Sequence, residues 1–231
     1  METQLTHATI FTNGVNLHVV QAGPEDGPLV ILLHGFPDFW YGWRKQIDYL
    51  VAQGYRVWAP DQRGYNLSDK PQAVAAYTLD QTSDDVVGLL QTAGVDKAYI
   101  VGHDWGAAVA WHFSQRYPEL VRKMVILNVP HNGVFRRYLL SHWKQMLRSW
   151  YILYIQLPFL PQWTISMLGW RVFSNIFHVT SNPGSYSSED IKEYRAAWVR
   201  TGDGSSMLAW YRAAVQVRVQ RLPSHASPCP H

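Results

Sequence analysis

The chain has 231 residues, with 20 Lys+Arg against 17 Asp+Glu and a formal charge of +3. Apolar residues make up 47% and charged ones 16%, which excludes a disordered chain and allows one large domain or two small ones. Cys229 is the only cysteine, so disulfide frameworks and Cys-based zinc sites are excluded; Met1–Gly14 lacks the features of a signal peptide, and a cytoplasmic location is expected.

In chain order, Val15–Val20 and Tyr55–Ala59 read as strands, and Leu29–Leu33 (LVILL) as a strand buried on both faces of a parallel sheet. Thr78-Leu79-Asp80-Gln81 has the form of a capping box and opens a helix through Val86, Val87 and Leu90 that stops at Gly94. Lys97–Val101 reads as strand, Ala107–Tyr117 as helix and Val121–Leu127 as strand. This alternation predicts an α/β architecture with a parallel, doubly wound sheet.

From His131 the texture turns helical, aromatic and basic. Residues 1–130 carry 9 basic and 13 acidic side chains, residues 131–231 carry 11 and 4, and the shift places a boundary near 130. The basic residues are scattered, which speaks against nucleic-acid binding. The segment Ser149–Trp170 has no charge, but Pro158, Pro161, Gln156 and Gln162 interrupt it, and a membrane span wants about 20 mostly apolar residues. It is expected to be buried or to line a pocket. Residues 216–231, with three prolines and no periodicity, read as an unstructured tail.

The densest motif is Gly102-His103-Asp104-Trp105-Gly106. Small residues at both ends permit a sharp strand-to-helix turn that lifts the central side chain above the sheet, and the helix N-terminus there favours an anion. A plain glycine-rich turn with a capping aspartate shares the pattern. His34-Gly35-Phe36-Pro37 follows LVILL directly. A strand-end loop of this kind supplies one backbone N–H of an oxyanion hole and the residue after the nucleophile supplies the other, which selects Phe36 and Trp105. Gly and Pro are also common in any turn after a buried strand.

These two motifs, with Trp40-Tyr41-Gly42-Trp43-Arg44 and the segment Asp61–Pro71 (DQRGYNLSDKP), resemble an α/β-hydrolase-fold epoxide hydrolase in order and spacing throughout residues 10–130. The resemblance implies an α/β-hydrolase core over residues 1–130 and an inserted helical cap, or lid, over residues 131–215. It implies Asp104 as nucleophile, and Tyr151 (in SWYILYIQ) and Tyr211 (in AWYR) as the epoxide-binding tyrosines, with Phe36, Pro37, Trp105 and Tyr154 lining the pocket. A small hydrophobic epoxide is the implied substrate, with no metal and no organic cofactor.

The residue types suit that chemistry. An aspartate, with a reference pKa of ~3.9, is a charged nucleophile at neutral pH, and ring opening leaves an alkoxide that two tyrosine hydroxyls can protonate. The resulting ester is hydrolysed by water that a histidine with an acidic partner activates. A haloalkane dehalogenase also uses an Asp elbow but usually has a polar side chain at the position of Phe36. A non-catalytic scaffold is the alternative of another class.

The resemblance ends near Ala214. Family members return to the core for two more strands bearing an acid and the base histidine; at roughly 30 residues per βα unit, residues 216–231 do not hold them. A C-terminally incomplete member is expected, lacking the last strands and helices. His34 and His103 lie in motifs where the family has a histidine in another role. His7, His18 and His112 fall on strand or helix faces, His131, His142 and His178 in the cap or its entry, and His225 and His231 in the tail. The base histidine stays unassigned, as does its acid. Three structural expectations follow: a cis Phe36–Pro37 bond, Tyr151 and Tyr211 hydroxyls facing Asp104, and self-association through Val121–Leu127 as an exposed apolar sheet edge.

Overall fold

The structure is a computed structural model and describes residues 3–131, 133–134, 137, 141–142 and 149–220. Six strands, β1 (Thr6–Thr12), β2 (Val15–Ala22), β3 (Leu29–Leu33), β4 (Arg56–Pro60), β5 (Ala98–His103) and β6 (Val121–Leu127), form one sheet in the order β1-β2-β4-β3-β5-β6. The β4–β3, β3–β5 and β5–β6 pairs are parallel; β1–β2 and β2–β4 are antiparallel. β1 is an addition to the elements read from sequence. Its signal was Asn13-Gly14, whose positive φ values of 45° and 76° make the tight turn of a hairpin.

Every residue of β3 is buried, as its unbroken apolar run requires. Val30 and Leu32 pack with Trp43 and Ile47 near and on α1 (Arg44–Ala52). Leu29, Ile31 and Leu33 pack on the other face with Val86 and Leu89 of α2 (Leu79–Ala93) and Val109 and Phe113 of α3 (Trp105–Arg116). Helices therefore cover both faces of the sheet. Each such buried aliphatic side chain contributes roughly 1.5–3 kcal/mol. Helix α2 begins as expected, with Thr78 Oγ1 accepting from the Gln81 N–H, and ends at Gly94. Only that half of the box forms, because the Gln81 side chain turns to Asn13.

Residues 150–220 are helical: α4 (Trp150–Gln156), α5 (Leu160–Leu168), α6 (Arg171–Thr180), α7 (Ser188–Thr201) and α8 (Ser205–Gln220). Helix α8 joins the main core through Met207, Ala209, Trp210 and Ala213. It corrects the expected tail: residues 216–220 continue the helix, because no Gly or Pro interrupts the chain between Ser205 and Gln220. The rest of the tail, with His225, Cys229 and His231, lies outside the described residues, as does most of 132–148.

The uncharged segment meets the expected burial on one face only, where Ile155 and the half-buried Ile152 and Ile165 pack beside Phe36 and Trp105. Ile155 is buried, but Leu153, Phe159 and Met167 are 75%, 83% and 62% exposed. Helices that are apolar all round bury only one face when a single layer packs against them. Among the described residues no helix is long and apolar enough to cross a membrane. Within this sheet β6 is an edge strand, with Val125 and Leu127 exposed.

Candidate active site

The turn from β5 into α3 is built by close backbone approach. Asp104 has φ 51° and ψ −119°, a conformation that L residues avoid and that nucleophile turns hold under strain. A Cβ on Gly106 would lie 2.1 Å from the Leu33 carbonyl oxygen, and one on Gly35 would lie 2.3 Å from Asp104 Cβ. Glycine at these two positions lets β3, its following loop and the turn come together. The Asp104 carbonyl accepts from the Ala107 and Ala108 N–H groups, while its side chain turns away from the helix it precedes.

Phe36 N–H donates to Asp104 Oδ1 at 2.8 Å. The Phe36–Pro37 bond is cis, as expected. Trp105 opens α3, where a first-turn N–H has no intrahelical acceptor. Above the carboxylate, Ile155, Leu208 and Tyr211 form a small buried cluster against Phe36, Trp105, Ile152 and Ile165. Tyr211 stands edge-on to Trp105 at 4.9 Å and to Phe36 at 5.5 Å between ring centroids.

The two tyrosines singled out in the sequence meet, at 6.1 Å between ring centroids, but in unequal settings. Tyr211 is buried at 7% exposure, and its phenol is pushed well above the ordinary value by burial first, then by the charge of Asp104 and by Tyr151. Tyr151 is 42% exposed, at the rim, and its phenol is raised by partial burial and then by Asp104. Tyr154 turns elsewhere: its hydroxyl bonds to Thr164 Oγ1 and the Leu160 carbonyl, between α4 and α5. Its hydroxyl is engaged within the helical layer, because in a helix Tyr154 lies three positions, about 300°, from Tyr151 and packs on α5.

The histidines are occupied in other ways. His34 Nδ1 lies against the Gly35 carbonyl, and its Nε2 accepts from the Gln62 N–H; burial lowers its pKa. His103 contacts Asn128, and His131 contacts Gln115. His112 meets Ser83 and Asp80. One acid–histidine pair escaped the sequence analysis: Asp61 Oδ2 and His18 Nδ1 are 2.7 Å apart, and His18 Nε2 is 2.9 Å from His7 Nδ1. His18 stands on β2, three strand spacings or about 14 Å from β5, so the pair serves another part of the fold. Among the described residues no group of three or more His, Cys, Asp or Glu side chains could hold a metal.

A sheet wound in this order, with an acid on the turn after its β5 strand, defines an α/β hydrolase. The α/β-hydrolase fold family matches residues 28–167, and the chain belongs to it. Its relatives place it among the epoxide-hydrolase-like members of that family. The chain is 45% identical over 214 residues to the AB hydrolase superfamily protein YfhM of Bacillus subtilis, covering 93% of this chain and 75% of that protein. It is 36% identical to human epoxide hydrolase 4, covering 89% of this chain but 58% of that protein, so it spans only about half to three-quarters of these relatives. The crystal structure of epoxide hydrolase A from Mycobacterium thermoresistibile superposes with a TM-score of 0.80 at 31% identity, over 94% of this chain and 77% of that one. A Bacillus megaterium epoxide hydrolase mutant bound to its naphthyloxy-propanediol product superposes with a TM-score of 0.79 at 34% identity, over 89% and 71%.

Proposed function

We propose that the protein opens an epoxide to a vicinal diol through an alkyl ester on Asp104, with α4–α8 as the cap that closes the pocket. The observation that carries this reading is the Phe36 N–H held on Asp104 Oδ1 beneath the buried Tyr211. With Oδ1 engaged, Oδ2 attacks an epoxide carbon and the C–O bond of the ring breaks. The oxygen that leaves takes a proton from Tyr211 or Tyr151, whose raised pKa values keep them protonated at neutral pH. Oδ1 becomes the ester carbonyl and stays on the N–H groups of Phe36 and Trp105, which stabilise the oxyanion when water attacks. Given a general base, water adds to the ester carbonyl, the diol leaves, the carboxylate is restored and the proton released returns to the tyrosinate. The diol product of the Bacillus megaterium relative agrees with this chemistry.

Hydrolysis of the ester needs a general base within hydrogen-bond reach. The described histidines His7, His18, His34, His103, His112 and His131 are engaged elsewhere, and with none of them as base the reaction is expected to stop at the ester. Intact mass spectrometry after incubation with excess styrene oxide should show one added substrate mass, absent in Asp104→Asn. Sustained diol release would instead mean that one of the chain's histidines serves as base. Adducts from a chloroalkane alone would favour dehalogenation, and no Asp104-dependent adduct from either compound would favour a non-catalytic scaffold.

A further inference from the structure

The loop that aims the Phe36 N–H at Asp104 is held from outside by one helix. Trp198 Nε1 of α7 donates to the Pro37 carbonyl at 2.6 Å, and Tyr194 OH, one turn earlier, donates to Asp38 Oδ1 at 2.9 Å. The loop closes on itself through Asp38 N–H to the Gly35 carbonyl at 3.0 Å. Residues 35–38 therefore form one short span, with Asp104 on its inner side and α7 on its outer side.

Helix α7 is itself fixed at both ends. At its start Ser187 and Asp190 form a complete capping box, and Asp190 also pairs with Arg44 at 2.9 Å and accepts from Tyr41 OH. At its end the Thr201 hydroxyl accepts from the Asn66 N–H at 3.0 Å. The Trp198 ring is 2% exposed and packed among Trp170, Phe173 and Phe177, with centroids 5.5–5.9 Å away, so its N–H has one direction open to it.

We infer that Trp198 is a positioning residue: its indole N–H, acting on the Pro37 carbonyl, sets the direction of the Phe36 N–H and so the orientation of the Asp104 carboxylate. The Pro37 carbonyl shares one planar peptide with the Asp38 N–H, that N–H donates to the Gly35 carbonyl, and the Gly35 carbonyl shares a second planar peptide with the Phe36 N–H, so a rotation imposed on the first plane is passed to the second. The inference rests on the reading of Asp104 as nucleophile only for its kinetic consequence; the geometry stands by itself.

Two measurements on Trp198→Phe, with Tyr194→Phe as the second variant, test it. Phenylalanine keeps a ring in the aromatic cluster and removes the donor. Amide hydrogen exchange of Phe36 should rise about tenfold, the scale of one hydrogen bond, while the amides of Ile31–Leu33 in β3 exchange as in wild type. The rate of Asp104 adduct formation at saturating styrene oxide should fall about tenfold, with the half-saturating concentration unchanged. An unchanged Phe36 amide, or equal acceleration at Phe36 and β3, would overturn the inference, the second by showing a purely structural role. If wild type forms no Asp104-dependent adduct, the proposed function fails, and the exchange result still decides the role of Trp198.

Discussion

Asp104 stands on a turn placed by backbone contact, whereas Tyr211 stands in the middle of a helix and is placed by the rings around it. On the sheet side, the close passages at Gly35 and Gly106 leave no second way to bring β3 and α3 together. On the helical side, Tyr211 depends on edge contacts with Phe36 and Trp105, and Tyr151 depends on Tyr211. Backbone packing of this kind tolerates almost no substitution, while ring packing tolerates change of shape at modest cost.

The comparison breaks most visibly at Gly106. Gly106→Ala should cost about 3 kcal/mol or prevent folding, because the new methyl meets main-chain atoms of Leu33 and His34 that cannot swing aside. Urea denaturation followed by tryptophan fluorescence would measure it. A loss below about 1 kcal/mol would mean that the turn has slack.

On the helical side the effects should fall on rate, and unequally. Tyr211→Phe should slow adduct formation about a hundredfold, the low end of general acid catalysis, and the half-exposed Tyr151→Phe by less, about tenfold. Equal losses would show that the rim tyrosine closes over the substrate. Linkage sharpens the contrast. Burial raises the Tyr211 phenol above its unfolded value of about 10, so its contribution to stability is complete below that pH and is lost as pH rises beyond it. The difference in thermal midpoint between wild type and Tyr211→Phe should therefore be level from pH 7 to 9 and change only above about pH 10. A change near neutrality would contradict the assignment.

The smallest energetic effect is expected at the outer edge of the sheet. Val125 is 51% exposed on β6, and an apolar strand edge is a template for pairing. Val125→Lys should leave stability within about 0.5 kcal/mol and reduce self-association of the chain in sedimentation velocity. A wild-type chain that sediments as a monomer at all concentrations would remove the premise.

The sheet core was legible because its strands carry their own pattern. LVILL and Val121–Leu127 occupy the residues read from sequence, and α2 stops at the glycine that marks its end. The Asp104 turn was equally legible, since close backbone approach demands glycine at particular spacings and glycine is visible in a sequence. Helix α8 runs beyond Val215 where alternating valines obscure the helical period, and β1 is marked in the sequence only by the Asn13-Gly14 turn that joins it to β2.

The resemblance alone pointed to the two tyrosines, whereas the sequence by itself determined which strands are buried and where the chain turns sharply enough to raise an aspartate. Those are local demands of pattern and backbone conformation. Only the tertiary structure decided that Tyr211 is buried and Tyr151 stands at the rim, and that Tyr154 is spent on Thr164. It alone paired Asp61 with His18, and brought Trp198 from 161 residues away onto the Pro37 carbonyl. Such contacts join residues whose separation along the chain carries no period, and their direction depends on how whole helices settle against the sheet.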